Sequence, residues 1–480
     1  MILSLLSAIF LILLFPRFNL VWLAPFALAP ILIACAREAS WKRRFVNGWA
    51  AGFVFWFGVC YWIQFVLEVH GGMGRWGGWA TFVLFAVLKG LHMAVFALAA
   101  GILVRPAAQP RFIGRAIPAV AALWTGLERT HGPLGFTWLQ LGNAGIGMSV
   151  PMRLAPILGV YGLSFVFALV GCAVALVILR RPRIELAWLL ALPLLFLLPA
   201  MPARQRGDQH ALLVQPNIDT EADWTQASFA HLERDMAILS HAPGHHIIIW
   251  PEAPAPFYPS DASFRAYIEN IARGEQSYFL FGGVAYNAAG APLNSAFLFD
   301  PSGEMIGRYD KINLVPFGEF VPRVFGWVNR ITKEAGDFAP GSRIVEFPVS
   351  GHKLGAFICY ESAFPDLVRE FAKGGAQVLV NLSNDGYFGH SSAREQHLEL
   401  VRMRAAENRR WIVRATNDGI TAVIDPAGRV AFRAPPYQEI SADVSYRYVQ
   451  EQTPYTRYGD WFAWGCLIVA AVLLAVNKRE

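Results

Sequence analysis

The sequence predicts a two-part protein: a multi-span α-helical membrane domain joined to an extracytoplasmic α/β domain. Two observations carry that prediction. Hydrophobic residues make up 55% of the 480, charged residues only 16%, and the mean hydropathy is +0.37; a soluble chain carries about 25% charged residues. The apolar residues are also unevenly placed. Runs of spanning or near-spanning length lie at 2–15, 19–36, 47–67, 78–104, 115–127, 156–179, 186–201 and 460–476, whereas 203–457 is polar overall. The domains expected are therefore 1–202 with seven spans, 203–457, and 458–480 with an eighth span and a tail. The 14% aromatic content excludes disorder.

The first run lacks a basic leader and a small-residue cleavage site, so it reads as a retained helix. Orientation follows from the short connections. Arg37, Lys42, Arg43 and Arg44 follow the second run, Arg105, Arg111 and Arg115 the fourth, and Arg180, Arg181 and Arg183 the sixth, while Lys478 and Arg479 end the chain. The alternate connections hold only Arg17, Arg75, Arg129 and Arg153. Positive-inside bias then puts both termini in the cytoplasm and 203–457 outside. The net charge of +6 fits this reading: 203–457 holds 24 Lys and Arg against 29 Asp and Glu, and the basic excess sits among the apolar runs. It marks topology, with no nucleic acid as partner.

The outer block alternates apolar runs with helical patterns. Strands are expected at 210–214, 247–250, 278–281, 354–358 and 378–381, and helices at 225–240, 262–273, 364–373 and 393–409. Alternation of this kind predicts a layered sheet with helices on its faces. Gly132, Pro133, Gly135, Gly142, Gly145, Gly147 and Pro151 mark 128–155 as an outward loop.

Four of the five cysteines (Cys35, Cys60, Cys172 and Cys466) lie in apolar stretches, leaving Cys359 as the lone thiol of the outer block. It follows a strand in Ile358-Cys359-Tyr360-Glu361. Glu252 follows another in Trp250-Pro251-Glu252, and Lys311 stands in Tyr309-Asp310-Lys311. Strand ends of an α/β sheet collect catalytic groups. A thiol needs a base to become nucleophilic, a partly desolvated carboxylate is such a base, and an ammonium can face the developing oxyanion. Each residue alone has a bland alternative: core packing for Cys359, a helix N-terminus for Glu252, a solvated charge for Lys311.

Together the three resemble the Glu-Lys-Cys triad of the nitrilase (carbon–nitrogen hydrolase) superfamily, which implies an α-β-β-α sandwich. Gln215-Pro216-Asn217, Val315-Pro316-Phe317-Gly318-Glu319, Asn381-Leu382-Ser383-Asn384-Asp385 and Arg414-Ala415-Thr416-Asn417-Asp418 narrow the resemblance. With the apolar runs on both sides, nearly the whole chain resembles the apolipoprotein N-acyltransferase family of Gram-negative bacteria. That resemblance implies an inner-membrane enzyme with its catalytic domain in the periplasm. It implies that Cys359 takes an acyl chain from a phospholipid, typically phosphatidylethanolamine, as a thioester, and passes it to the N-terminal amine of a diacylglyceryl-cysteine lipoprotein. Glu252 would be general base and Lys311 the oxyanion partner. Glu319 would support the site, and Tyr360 and Glu361 would frame the nucleophile. Trp224, Phe136 and Trp138 match aromatic positions associated with substrate handling, or are belt and core aromatics. Asn384 and Tyr387 line the same region; Tyr387 stands where relatives commonly carry Trp. No cofactor and no metal is implied.

Phe317, Phe320, Val321, Val324, Phe325, Trp327 and Val328 are expected to form a membrane-facing lid or ordinary core. His241, His245 and His246 read as a solvated loop, lacking a carboxylate or thiol at ligand spacing. His390 and His397 suggest a Cys/His protease only weakly. Two other functions compete: a membrane-anchored amidase using water as acceptor, and a transporter, which the scarcity of ionisable residues within the spans disfavours.

Overall fold

The computed structural model describes residues 1–105, 114–219, 225–241, 244, 246–253, 255, 257–320 and 338–477. The expectations for Arg111, Trp224, His245, Val321, Val324, Phe325, Trp327, Val328, Lys478 and Arg479 therefore lie outside the described residues. The chain forms two compact units: Met1–Glu68 with Met73–Met201 and Tyr458–Glu480, and Val69–Gly72 with Pro202–Arg457.

The first unit is built of apolar helices. Gly74–Leu103 and Val160–Ile178 are long and apolar enough to cross a membrane, and Trp41–Val59 with Ile63–His70, bent by 70° at the break, makes a third if the pair is one span. Of the remaining apolar runs, the last winds as one unbroken helix, Trp461–Asn477, and the others are shorter or interrupted. Ile2–Leu13 has 12 residues and Ala116–Arg129 has 14, about 18–21 Å of helix against the roughly 30 Å hydrocarbon core. The 19–36 run is split into a 3-10 segment, Val21–Phe26, and the helix Ala29–Arg37. Pro25 and Pro30 withhold backbone N–H donors there. Arg183–Leu197, containing Pro193, winds as 3-10 turns. Where Trp41–Val59 meets Gly74–Leu103 the backbones touch: a methyl group at Gly52 would lie 2.8 Å from the Gly90 Cα. Small residues allow such close approach between apolar helices.

The second unit is an α-β-β-α sandwich. Its strands are β1 (Gln209–Gln215), β2 (Ile247–Ile249), β3 (Tyr278–Tyr286), β4 (Pro292–Phe299), β5 (Met305–Asp310), β6 (Glu346–Val349), β7 (His352–Ile358), β8 (Val378–Ser383), β9 (Ile412–Thr416), β10 (Ala422–Ile424), β11 (Val430–Arg433) and β12 (Ile440–Tyr446). One sheet has the order β12-β1-β2-β3-β4-β5 and the other β11-β10-β9-β8-β7-β6. The strand period of two sorts side chains between layers. Leu213, Ile249, Leu280 and Leu298 join Leu354, Ala356, Val380 and Val413 in the core between the sheets. Their neighbours Leu212, Val214, Ile248, Phe279 and Phe281 face outward onto Phe264 and Ile268 of the helix Ala262–Glu275. Helices Pro365–Lys373 and Ala393–Asn408 add Val368, Phe371, Leu398 and Val401 to the same continuous cluster, with Phe371 against Gly355 of β7. Strands β1, β2 and β3 run parallel, as do β7, β8 and β9. Their carboxyl ends therefore emerge together, and the site forms there.

Candidate active site

Glu252 leaves the carboxyl end of β2 and is 6% exposed. It fits because β3 carries Gly282 beside it; a methyl group at Gly282 would lie 2.6 Å from the Glu252 Cα. Glu252 Oε1 accepts hydrogen bonds from Lys311 Nζ at 3.1 Å and Asn294 Nδ2 at 2.8 Å, and Oε2 accepts from the Asn384 backbone N–H at 2.9 Å. Lys311 follows β5 and is 1% exposed. Its ammonium also donates to Glu319 Oε1 at 2.9 Å, and Glu319 Oε2 accepts from the Val315 N–H at 2.8 Å. Burial alone would pull the Lys311 pKa down. The Glu252 and Glu319 carboxylates beside it hold it well above the ordinary lysine value, so the ammonium stays charged.

Cys359 opens the short 3-10 turn Cys359–Ala363 directly after β7, with φ at +48°. A side chain other than glycine in this left-handed region is strained by about 1–2 kcal/mol. Two bonds hold the turn. His397 Nε2 donates to the Cys359 carbonyl at 3.0 Å, and Glu361 Oε2 accepts from the Ile358 N–H at 2.7 Å. Glu361 Oε1 accepts from the Tyr309 hydroxyl at 2.7 Å and from the N–H groups of Ile312 and Asn313 at 2.7 and 3.2 Å. One buried carboxylate thus ties the Cys359 turn to the segment carrying Lys311. Burial pushes the Glu361 carboxyl up to about 7, against the donors that favour its charge. The Cys359 thiol is raised above the ordinary cysteine value by burial and by the nearby Glu252 charge, with Lys311 opposing. At rest it is a neutral thiol.

Behind the turn lies a second polar group. Asp385 pairs with Arg414 Nη2 at 2.7 Å, accepts from Ser383 Oγ at 2.8 Å, and faces His397 Nδ1 at 3.0 Å. Burial would raise its carboxyl, but Arg414 holds it far below the usual range. Of the residues singled out in sequence, Glu252, Lys311, Glu319, Cys359, Glu361 and Asn384 converge. Asn384 contributes its backbone N–H, while its side chain accepts from Gly386 N–H and Asn417 Nδ2. Tyr360 packs edge-on against Phe364. The Tyr387 ring is 43% exposed, with its phenol in electrostatic reach of Glu252, Glu319, Lys311 and Cys359. Phe136 and Trp138 belong to the first unit, where Trp138 packs at a tilt against Trp62 and Phe136 packs edge-on against Trp56 and Phe85.

His397 faces the Cys359 carbonyl, and His390 stacks on Tyr437. His241 pairs with Glu275, and His246 lies against Tyr278. Sequence reading missed Asn294. Its signal was present: Asn294 and Ser295 are consecutive polar residues within an otherwise apolar strand, and both are buried.

A two-sheet sandwich with a buried thiol, carboxylate and ammonium at its strand ends goes with the carbon–nitrogen hydrolase class, and the family described as carbon-nitrogen hydrolase matches residues 212–453. The apolipoprotein N-acyltransferase N-terminal domain matches residues 7–173. The chain is similar to an apolipoprotein N-acyltransferase of Geobacter metallireducens, 34% identical over 100% of this chain and 95% of the relative. It is similar to another of Ralstonia nicotianae, 31% identical over 96% and 89%. A solved structure of an amidase from Nesterenkonia sp. is 19% identical, covering 53% of this chain and 94% of that one, with a TM-score of 0.39. The chain belongs to the apolipoprotein N-acyltransferase family, and it is an N-acyltransferase.

Proposed function

We propose that the protein completes lipoprotein maturation by moving an acyl chain from a membrane phospholipid, phosphatidylethanolamine in the first instance, to the N-terminal amine of diacylglyceryl-cysteine lipoproteins. The carrying observation is the Glu252–Lys311 ion pair set in the field of a neutral Cys359 thiol. A neutral thiol needs a base in the act of attack, and Glu252 supplies one. The S–H proton passes to Glu252 as sulfur attacks the ester carbonyl. Lys311 stabilises the oxyanion, with a backbone N–H beside the nucleophile assisting. The C–O bond breaks, Glu252 returns the proton to the departing lysophospholipid alkoxide, and a thioester remains. The lipoprotein amine then attacks, its proton passes through Glu252 to sulfur, and the amide forms. No cofactor or metal enters.

Glu319, Glu361 and Asn384 hold the reacting groups, and Tyr360 frames the turn. Tyr387, Trp224, Phe136 and Trp138 handle lipid or substrate. On this reading the reaction runs at the bacterial inner membrane, with 203–457 periplasmic and both termini cytoplasmic, which the apolar segments and the basic residues between them support. This anchoring is supported by the cost of exposing acyl chains to water, about 0.8 kcal/mol per CH₂.

Intact mass of the purified protein after incubation with phosphatidylethanolamine tests the reading. The expected result is one added acyl chain, removed by hydroxylamine, absent in Cys359→Ala, and discharged by a diacylglyceryl-cysteine peptide. A folded wild-type protein that gains no acyl chain and hydrolyses small amides would overturn it.

A further inference from the structure

Four polar groups close a ring at the centre of the site. Glu252 Oε1 accepts from Lys311 Nζ at 3.1 Å and from Asn294 Nδ2 at 2.8 Å; Glu319 Oε1 accepts from the same nitrogens at 2.9 and 2.7 Å. Carboxylates and nitrogen donors alternate around it. The orientation of the Asn294 amide is fixed by its neighbours, because the flipped amide would set its oxygen against two acceptors. The Asn294 carbonyl also accepts from the Lys311 N–H at 2.8 Å, one step beyond the β4–β5 pairing of Ser295 with Asp310. One residue therefore touches both carboxylates and fixes the backbone of the lysine between them.

The charges explain why an amide stands here. Two carboxylates against one ammonium leave the ring with one excess negative charge, in a place where Lys311 is 1% and Asn294 7% exposed. Crowded carboxylates disfavour joint ionisation, and each added N–H donor favours it. A second ammonium would balance the charge but would weaken Glu252 as a proton acceptor. An amide offers two donors and no charge.

We infer that Asn294 is a positioning residue for acyl transfer, holding Glu252 aligned while Glu319 remains bound on the other side of Lys311. The inference rests on Glu252 serving as the base, as proposed above. When Glu252 takes the thiol proton, the excess negative charge passes to sulfur, and the bonds from Asn294 and Lys311 to Glu319 keep the ring in place. When the proton moves on to the leaving oxygen, the starting charge is restored. Among the described residues, the titratable and charged groups facing the carboxylate pair are Lys311, the Cys359 thiol and the Tyr387 phenol.

The test is single-turnover thioester formation from phosphatidylethanolamine by full-length wild type, Asn294→Ala and Asn294→Asp between pH 5.5 and 9, with thermal unfolding of each. Asn294→Ala removes both donors. Its rate at pH 7 is expected to fall about 10- to 100-fold, and the midpoint of the ascending limb to move about one unit to higher pH, because the protonated carboxyl gains relative to the carboxylate. Asn294→Asp preserves shape but adds a third carboxylate, and is expected to be slower than Asn294→Ala above pH 7. Should the alanine variant fail to fold, the isosteric aspartate variant carries the test through its own alkaline shift. Equal losses at every pH with unmoved midpoints would reduce Asn294 to packing and overturn the inference, as would unchanged rates. A wild type that forms no thioester would instead overturn the parent reading along with it.

Discussion

On one side of the Cys359 turn, Glu252 and Glu319 share one ammonium and one amide; on the other, Asp385 alone is held by a guanidinium and a hydroxyl. Both clusters are buried and hydrogen-bonded, yet their charge balance differs. The Asp385 side has a full counter-charge, which holds that carboxyl far below its usual range. The Glu252 side has one cation, Lys311, for two carboxylates. The difference fits the proposed mechanism, in which the balanced cluster fixes the backbone of the nucleophile and the unbalanced one moves its proton.

The largest expected effect separates these roles directly. Lys311→Met leaves two buried carboxylates without their cation, and Arg414→Met leaves one. Each should cost about 3–5 kcal/mol of stability, the usual result of breaking a buried pair from one side. Their rates should diverge. Lys311→Met also loses the oxyanion partner, and thioester formation should fall about a thousandfold. Arg414→Met, assayed per folded molecule below its unfolding temperature, should fall less than about tenfold. Chemical unfolding paired with single-turnover acylation checks both. Comparable rate losses in the two variants would erase the distinction between the clusters.

Much of this was legible in the sequence, for reasons that explain what was not. Glu252, Lys311 and Cys359 each follow an apolar strand, so local pattern put all three at sheet ends. β1, β2, β7 and β8 were legible because buried parallel strands read as short, unbroken apolar runs. The antiparallel β11 and β12 mix polar with apolar residues, and β10 has only three residues, so none gave such a signal. Asn294 was missed because its meaning is spatial: only pairing of β4 with β3 and β5 carries it between Glu252 and Lys311. Asp385 and Arg414 were quoted within motifs, but their ion pair spans 29 residues of chain. In the first unit hydropathy found the apolar runs, yet mean hydropathy is blind to prolines at 25, 30 and 193 that interrupt α-helical winding.

Glu361 sits between the two clusters and sharpens the comparison at a smaller scale. It joins the Cys359 turn to the Lys311 segment, and burial pushes its carboxyl up to about 7. A folded-state value raised above the roughly 4.3 of an unfolded glutamate favours the folded state fully below that lower value. The contribution is lost as pH rises through about 7. Wild-type stability should therefore drop between pH 5 and pH 8, by an amount on the order of 3 kcal/mol from this group alone. Glu361→Gln cannot ionise there, so its stability should change less across the same interval. Denaturant titrations of both proteins at the two pH values give the difference of differences. Parallel curves would mean that the four donors around Glu361 outweigh its burial and keep it ionised throughout.

The smallest effect is read on the thiol itself. Burial first, and the Glu252 charge second, hold Cys359 above the ordinary cysteine value against the pull of Lys311. A raised value means neutral thiol at pH 7, with the thiolate fraction still growing at pH 9. Alkylation of Cys359 by iodoacetamide, followed by peptide mass, should climb about tenfold per pH unit from 7 to 9 without levelling. Cys35, Cys60, Cys172 and Cys466 lie in the other unit and are resolved by peptide. A plateau below pH 8 would show a thiolate already formed at rest, with Lys311 outweighing burial and Glu252 together. Glu252 would then have no proton to take in the first half-reaction, and its part would shrink to delivering one in the second.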